Sequence, residues 1–274
     1  MARRARVDAE LVRRGLARSR EHASELIAAG RVLIAGTVAT KAATAVEPNT
    51  PLLVTEVADE VSWASRGAHK LLGALEAFTP QGLDVSGKRC LDAGASTGGF
   101  TDVLLHEGAS EVVAVDVGYG QLVWRLQSDP RVHVIDRTNV RTIDADLIGG
   151  PVEVVVADLS FISLKLVLPA FVRCAAPGAD LLPMVKPQFE VGKDRVGSGG
   201  VVRDPELRAE AVLEVAREAQ RAGLRTRGVV ASPLPGPSGN VEYFLWLRAG
   251  EPGAEDLDPN VIDLVHRAVQ EGPQ

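Results

Sequence analysis

Cysteine is nearly absent from this chain: two occur in 274 residues, Cys90 and Cys174. Each lies in an apolar segment without metal-ligand spacing, so both read as small core residues, and no metal site is expected. Aromatic residues are scarce too, at 4%. No apolar run approaches the roughly 18–20 residues of a membrane-spanning helix. The opening Met1-Ala2-Arg3-Arg4-Ala5-Arg6 is basic but leads into no apolar stretch, so it does not read as a signal peptide. A secreted pore-former would need one or the other. The expected setting is the cytoplasm, with no membrane partner, and no heptad pattern speaks for a particular oligomer.

Charge is present but uneven. Residues 1–31 hold eight arginines against Asp8, Glu10, Glu21 and Glu25, a net of +4 that leaves −10 for the rest of a chain totalling −6. A basic end on an acidic body points to an anionic partner met by the N-terminus. Asp8 is placed to cap a helix through Leu16, and Ser19 a second one over 20–29 that Gly30 stops. Short β-like pieces follow at 32–34, 37–38 and 52–54. Two helices and a small hairpin bury little core but offer a rigid basic face. Arg13, Arg18 and Arg20 gather around the helix–helix turn, where a phosphate backbone could be gripped.

The stretch that organises the remainder is Asp92-Ala93-Gly94-Ala95-Ser96-Thr97-Gly98-Gly99-Phe100. A buried strand, a glycine turn and a helix in succession are how a doubly wound sheet opens a nucleotide pocket. The spacing is not Gly-x-Gly-x-x-Gly, which counts against NAD. Further strands are expected at 111–116, 132–135, 152–157 and 181–185, with polar residues just past their C-terminal ends: Asp116, Asp136, Asp158 and Lys186. Ligands bind at that end of open α/β sheets, and an acid about twenty residues after the turn accepts ribose hydroxyls. The glycine-rich segment 192–204 reads as a mobile lid. A helix over 206–222, strands at 224–231 and 241–247, a helix over 256–268 and a frayed tail from Glu271 complete the pattern. Trp63, in the junction, reads as a packing anchor between domains.

Two resemblances carry this further. Residues 5–55, through Leu11-Val12-Arg13-Arg14-Gly15-Leu16-Ala17-Arg18-Ser19-Arg20 and Gly30-x-Val32, resemble the S4 RNA-binding domain. That resemblance implies contact with structured RNA by phosphate and shape, with Arg6, Arg13, Arg14, Arg18 and Arg20 as the candidate contacts. The combination of Lys70, Asp92–Asp102, Asp158-Leu159-Ser160-Phe161, Lys186-Pro187-Gln188-Phe189-Glu190 and Gly239-Asn240-Val241-Glu242-Tyr243-Phe244 resembles the FtsJ-like ribose methyltransferases. With an S4 domain in front, nearly the whole chain is similar to the haemolysin-A-like rRNA (cytidine-2'-O)-methyltransferases.

The family resemblance implies an S4-like domain at 1–58, a linker at 59–65 and a Rossmann-like methyltransferase domain at 66–274. It implies S-adenosylmethionine beside Asp92, Gly94, Ser96, Gly98, Gly99 and Phe100, with Asp116 on the ribose, Asp136 or Asn139 near the adenine and Asp158 near the methyl group. It also implies a Lys–Asp–Lys–Glu tetrad, which maps onto Lys70, Asp158, Lys186 and Glu242, and ribosomal RNA or ribosomal subunits as the partner. A lysine serves as a base only where burial or a neighbouring cation eases loss of its proton; Lys186 is the expected base and Lys70 its neighbour. The junction departs from the family pattern, having Val61-Ser62 where a basic residue precedes the Trp. An oxidoreductase, an RNA-binding assembly factor without catalysis, and a methyltransferase of another structured RNA such as tRNA are the competing readings.

Overall fold

Strands form where β-branched runs can be covered on both faces. The computed structural model describes residues 4–17, 19–55, 61–236, 238–250 and 257–273. They fall into two compact units, Met1–Ser62 and Trp63–Gln274. The expected linker therefore ends early: Trp63 packs edge-on to His106 within the second unit, and the Ala64 amide donates to Asp102 Oδ2 at 2.8 Å. Arg18 and residues 56–60, which carried expectations above, lie outside the described residues.

In the first unit, strand β1 (Ala5–Arg6), helices α1 (Val7–Arg13) and α2 (Arg20–Ala28), and strands β2 (Val32–Ile34), β3 (Thr37–Val38), β4 (Ala45–Val46) and β5 (Leu52–Val54) enclose a small core of Val7, Leu11, Ala23, Leu26, Ile27 and Val32. Strand β2 pairs antiparallel with β3 and β5, and β1 with β4. Ser19 caps α2 as expected, accepting from the His22 amide at 3.1 Å. Asp8 does not cap α1. Arg6 holds the cap position, and Asp8 turns inward to the guanidinium groups of Arg6 and Arg20, because two charge-assisted bonds outweigh one cap bond.

The second unit is a seven-stranded sheet. Its strands are β6 (Arg89–Ala93), β7 (Glu111–Val115), β8 (Val132–Ile135), β9 (Val152–Ala157), β10 (Ala175–Val185), β11 (Leu224–Ala231) and β12 (Tyr243–Ala249), in the order β11-β12-β10-β9-β6-β7-β8. The five strands from β10 to β8 run parallel; β12 is reversed between β10 and β11. Helices α3 (Ala68–Phe78), α4 (Gly99–His106) and α5 (Trp124–Gln127) contribute to the core on one face. On the other lie α6 (Leu168–Cys174), α8 (Pro205–Arg221) and α9 (Pro259–Glu271), while the short α7 (Pro187–Glu190) follows β10. Val154, Val155 and Val156 are fully buried in the centre, each worth about 1.5–3 kcal/mol of apolar burial. Chain order reverses between β6 and β9, so the crevice beyond their C-terminal ends is the switch point where such sheets bind ligands.

Three differences from expectation have local causes. Strand β10 starts six residues early: Ala175 already pairs with Val152 of β9, and a register shift that takes up Pro177-Gly178 separates it from the regular pairing that begins at Asp180. Helix α9 runs through Glu271, absorbing the start of the expected tail. The segment 192–204 is tied down: Asn240 accepts from the Val202 amide at 2.9 Å and donates to the Gly200 carbonyl at 2.8 Å. Val191 and Val202 also pack with Ala211, so this segment is not the loose lid its glycines suggest.

Candidate active site

The glycine turn is shaped largely by its protein neighbours. Gly94 has φ +87°, and a Cβ there would stand 2.8 Å from the Asp158 carbonyl, so only glycine lets the ends of β6 and β9 meet this closely. Gly98 has φ +101°, and a Cβ would strike Leu126 and Leu122 at 2.4 and 2.8 Å. At Gly99 it would meet Ser65 Oγ and the Ala68 amide, where α3 begins. The sequence motif marks the turn, while its glycines serve packing as much as ligand approach.

Two expected cofactor residues are internal. Asp92 is fully buried on β6, and its Oδ2 accepts from Thr101 Oγ1 at 2.7 Å, lashing the strand to α4. Burial raises its pKa to about 7 against the opposing Thr101 bonds, and its Oδ1 has no protein partner among the described residues. Phe100 is buried beside Phe244, ring centroids 5.9 Å apart. Both support the turn from beneath.

The remaining acids line the strand ends. Asp116 accepts from the Ser96 amide (2.8 Å) and the Gly118 amide (2.7 Å), while Asp136 accepts from the Gly120 amide at 2.9 Å. Ser96 adopts φ +47° to make its bond. Asn139 caps a short turn through the Arg141 amide at 3.0 Å. Each of these carboxylates keeps lone pairs for hydroxyl donors. An approach lined by Asp116, Asp136 and Asp158 disfavours a pyrophosphate and favours a cationic nucleoside, so the donor set fits S-adenosylmethionine better than NAD.

Beyond β9 and β10 the expected tetrad comes together from four separate segments. Glu242 Oε2 and Lys70 Nζ are 2.5 Å apart, both buried. Lys70 Nζ is 3.9 Å from Asp158 Oδ2, and Asp158 Oδ1 is 2.6 Å from Lys186 Nζ. Lys186 also donates to Ser160 Oγ at 3.0 Å. Charges alternate along this chain, and Asp158 is shared between two lysines. Lys70 is paired most closely with Glu242 and Lys186 with Asp158, so the array holds two lysines against two carboxylates.

Sequence reasoning gave no role to Ser160 or to Glu190. It also passed over Phe161, which is 91% exposed at φ +63° with its ring 5.4 Å from Phe189, and over Tyr119, whose ring carries the Arg137 guanidinium 4.2 Å from its centroid. An aromatic directly after Asp158-Leu159-Ser160 was the available signal for Phe161.

The candidate RNA contacts Arg6, Arg13, Arg14 and Arg20 are already engaged within the first unit. Arg13 and Arg14 both bind Glu10, at 2.6 and 2.7 Å, and Arg6 and Arg20 bind Asp8. Asp8 and Glu10 are each held down to about pKa 2, chiefly by the bonds from Arg6 and Arg13 respectively. Arg14 also donates to the carbonyls of Thr50 and Pro48 (2.8 and 2.7 Å), which makes it a brace of the fold. Arg6, Arg13 and Arg20 keep exposed side chains.

A parallel sheet with one reversed strand, a glycine turn at its switch point and a Lys–Asp–Lys–Glu array beyond β9 and β10 defines a Rossmann-like methyltransferase. The chain belongs to the FtsJ-like methyltransferase family, whose profile matches residues 63–249, and it carries an S4 domain over residues 5–52. It is 65% identical, over 100% of both chains, to the 16S/23S rRNA (cytidine-2'-O)-methyltransferase TlyA of Mycobacterium tuberculosis. It is 35% identical to Hemolysin A of Brachyspira hyodysenteriae, covering 87% of this chain and 98% of the other. The solved structure of a candidate hemolysin from Streptococcus thermophilus superposes with a TM-score of 0.74 at 34% identity, over 99% of this chain and 98% of that one. Among the described residues, no helix is long and apolar enough to cross a membrane, and no cluster of ligand-type side chains could hold a metal ion.

Proposed function

We propose that this protein methylates the 2'-hydroxyl of cytidine in ribosomal RNA, using S-adenosylmethionine. The observation that carries the reading is the Glu242–Lys70–Asp158–Lys186 array at the switch point, on a chain that begins with an S4 domain. Asp116 would hold the ribose of the cofactor, Asp136 or Asn139 its adenine side, and Asp158 would lie near the methyl group. When bound, the cofactor supplies an electrophilic methyl on a sulfonium sulfur.

A ribose hydroxyl is a weak nucleophile until its proton leaves. Lys186, in its neutral form, accepts that proton at Nζ as the oxygen attacks. Asp158 and Ser160 orient the lysine, and Lys70, fixed by Glu242, balances Asp158 from the far side. The exposed guanidinium groups of Arg6, Arg13 and Arg20 dock the RNA through its phosphates.

Purified protein and radiolabelled S-adenosylmethionine, incubated with separated ribosomal subunits from a strain lacking the enzyme, test this reading. Label should appear in rRNA as 2'-O-methylcytidine. The Lys186→Ala variant should lose at least about 100-fold in rate, as expected for loss of a general base, while binding the cofactor as the parent does. Label at another RNA would move the substrate; cofactor binding without transfer would favour an assembly role. Full activity in Lys186→Ala would remove the lysine from the mechanism.

A further inference from the structure

Glu190 is a buried carboxylate that the mechanism above does not use. It ends α7, one helical turn after Lys186, and its two oxygens reach the segment that follows β9. Oε2 accepts from Ser163 Oγ at 2.5 Å and Oε1 from the Leu164 amide at 2.7 Å. That segment carries Asp158 and Ser160, the two partners of Lys186. Its own backbone does little to fix it. The Asp158 amide bonds to the Ala93 carbonyl, but the amides of residues 159–163 find no protein acceptor among the described residues. Phe161, in the middle, holds a left-handed conformation that bulky side chains rarely adopt. Leu159 and Ile162 give the segment apolar footing on the core; its polar fastening at the far end is Glu190.

We propose that Glu190 is a positioning residue for methyl transfer: it clamps the 158–164 segment to the segment bearing Lys186, and so sets the lysine ammonium between Asp158 and Ser160. The two strand ends thereby close into a ring, with Lys186 bonding forward to residues 158 and 160 and Glu190 bonding to residues 163 and 164. Burying a carboxylate is costly unless its oxygens are bonded, and both are. Lys165, whose charge faces Glu190, is itself committed to Glu214 at 2.7 Å, leaving the carboxylate to the clamp.

This inference rests on the methyltransferase reading, and the test separates the two. Full-length Glu190→Ala, Glu190→Gln and Ser163→Ala are compared with the parent for kcat, KM for rRNA and cofactor Kd, and for amide hydrogen exchange over residues 158–165. Glu190→Ala should lose roughly 10- to 100-fold in kcat, the scale of a small misplacement of reacting groups, with KM and Kd within about threefold and faster exchange at Leu164. Glu190→Gln should restore most of kcat, because its amide oxygen accepts from Leu164 and its amide nitrogen donates to the Ser163 hydroxyl. Ser163→Ala, which removes one bond of the two, should fall between and serves if Glu190→Ala does not fold. Parental kcat in both Glu190→Ala and Ser163→Ala overturns the proposal, as does an equal loss in Glu190→Gln and Glu190→Ala. Absence of transfer by the parent overturns the methyltransferase reading instead. In that event the exchange data still decide the clamp, and unchanged exchange at Leu164 in Glu190→Ala refutes it.

Discussion

Burial governs Asp92 more than its place in the motif does. Its carboxyl, with a pKa raised to about 7 chiefly by burial, holds a proton in the folded chain at pH values where an unfolded chain has lost it. The sign follows: the stabilisation is complete below about pH 4, declines as pH rises and is gone above about pH 7. At about 1.4 kcal/mol per unit the whole span is worth about 4 kcal/mol at most. Asp92→Asn keeps an oxygen for Thr101 and carries no charge. It should therefore match the parent in stability near pH 4 and exceed it at pH 8, which urea unfolding at the two pH values checks. Equal stability of both proteins at pH 8 would mean the carboxylate ionises there at no cost. Lys70, Asp158, Lys186 and Glu242 were legible in the sequence because a family motif surrounds each. Ser160 and Glu190 were not, since their meaning depends on how the ends of two strands face one another, and local pattern carries no information on that.

Among the elements, the central strands were legible because short, largely apolar runs stand where helices cover both faces. The reversed β12 and the two-residue strands β1 and β4 were not, because a strand's direction and so short a pairing leave no periodicity to read. Helix α4 shows where sequence and packing coincide. Its start depends on Gly98, which meets two demands together: a backbone at φ +101° and open space against Leu122 and Leu126. Gly98→Ala should destabilise the protein by about 2–4 kcal/mol, combining the left-handed penalty with overpacking. It should also weaken cofactor binding, because the turn from Gly94 to Gly99 would shift as one piece. Thermal unfolding and calorimetric titration with S-adenosylhomocysteine measure the two effects. A change in stability with unaltered affinity would separate the helix start from the pocket.

At the scale of the whole molecule, charge is partitioned along the chain: residues 1–31 are basic, the remainder is acidic, and an anionic partner is proposed for the former. Within the first unit, however, the arginines do not act as one patch. Arg14 spends its donors on Glu10 and on the carbonyls of Thr50 and Pro48, whereas the Arg20 guanidinium, among the described residues, meets the carboxylate of Asp8 alone and stays exposed. Asp8 and Glu10, depressed to about pKa 2, keep their charge to well below neutral pH, so the arginine array is held in place across the working range and loosens only as pH falls below about 4. The two arginines should then fail differently when removed. Arg20→Ala should weaken rRNA binding and lower the slope of log K against log salt by about one, the mark of one lost phosphate contact, with the melting temperature nearly unchanged. Arg14→Ala should lower the stability of the first unit, seen as faster amide exchange over residues 46–52, and leave the salt slope of the folded fraction as it was. Filter binding of full-length protein to rRNA at several salt concentrations, with hydrogen exchange alongside, distinguishes them. Identical salt slopes for parent and Arg20→Ala would place the RNA on a different face of the S4 domain, and the exposed arginines would then be balancing Asp8 and Glu10 and nothing more.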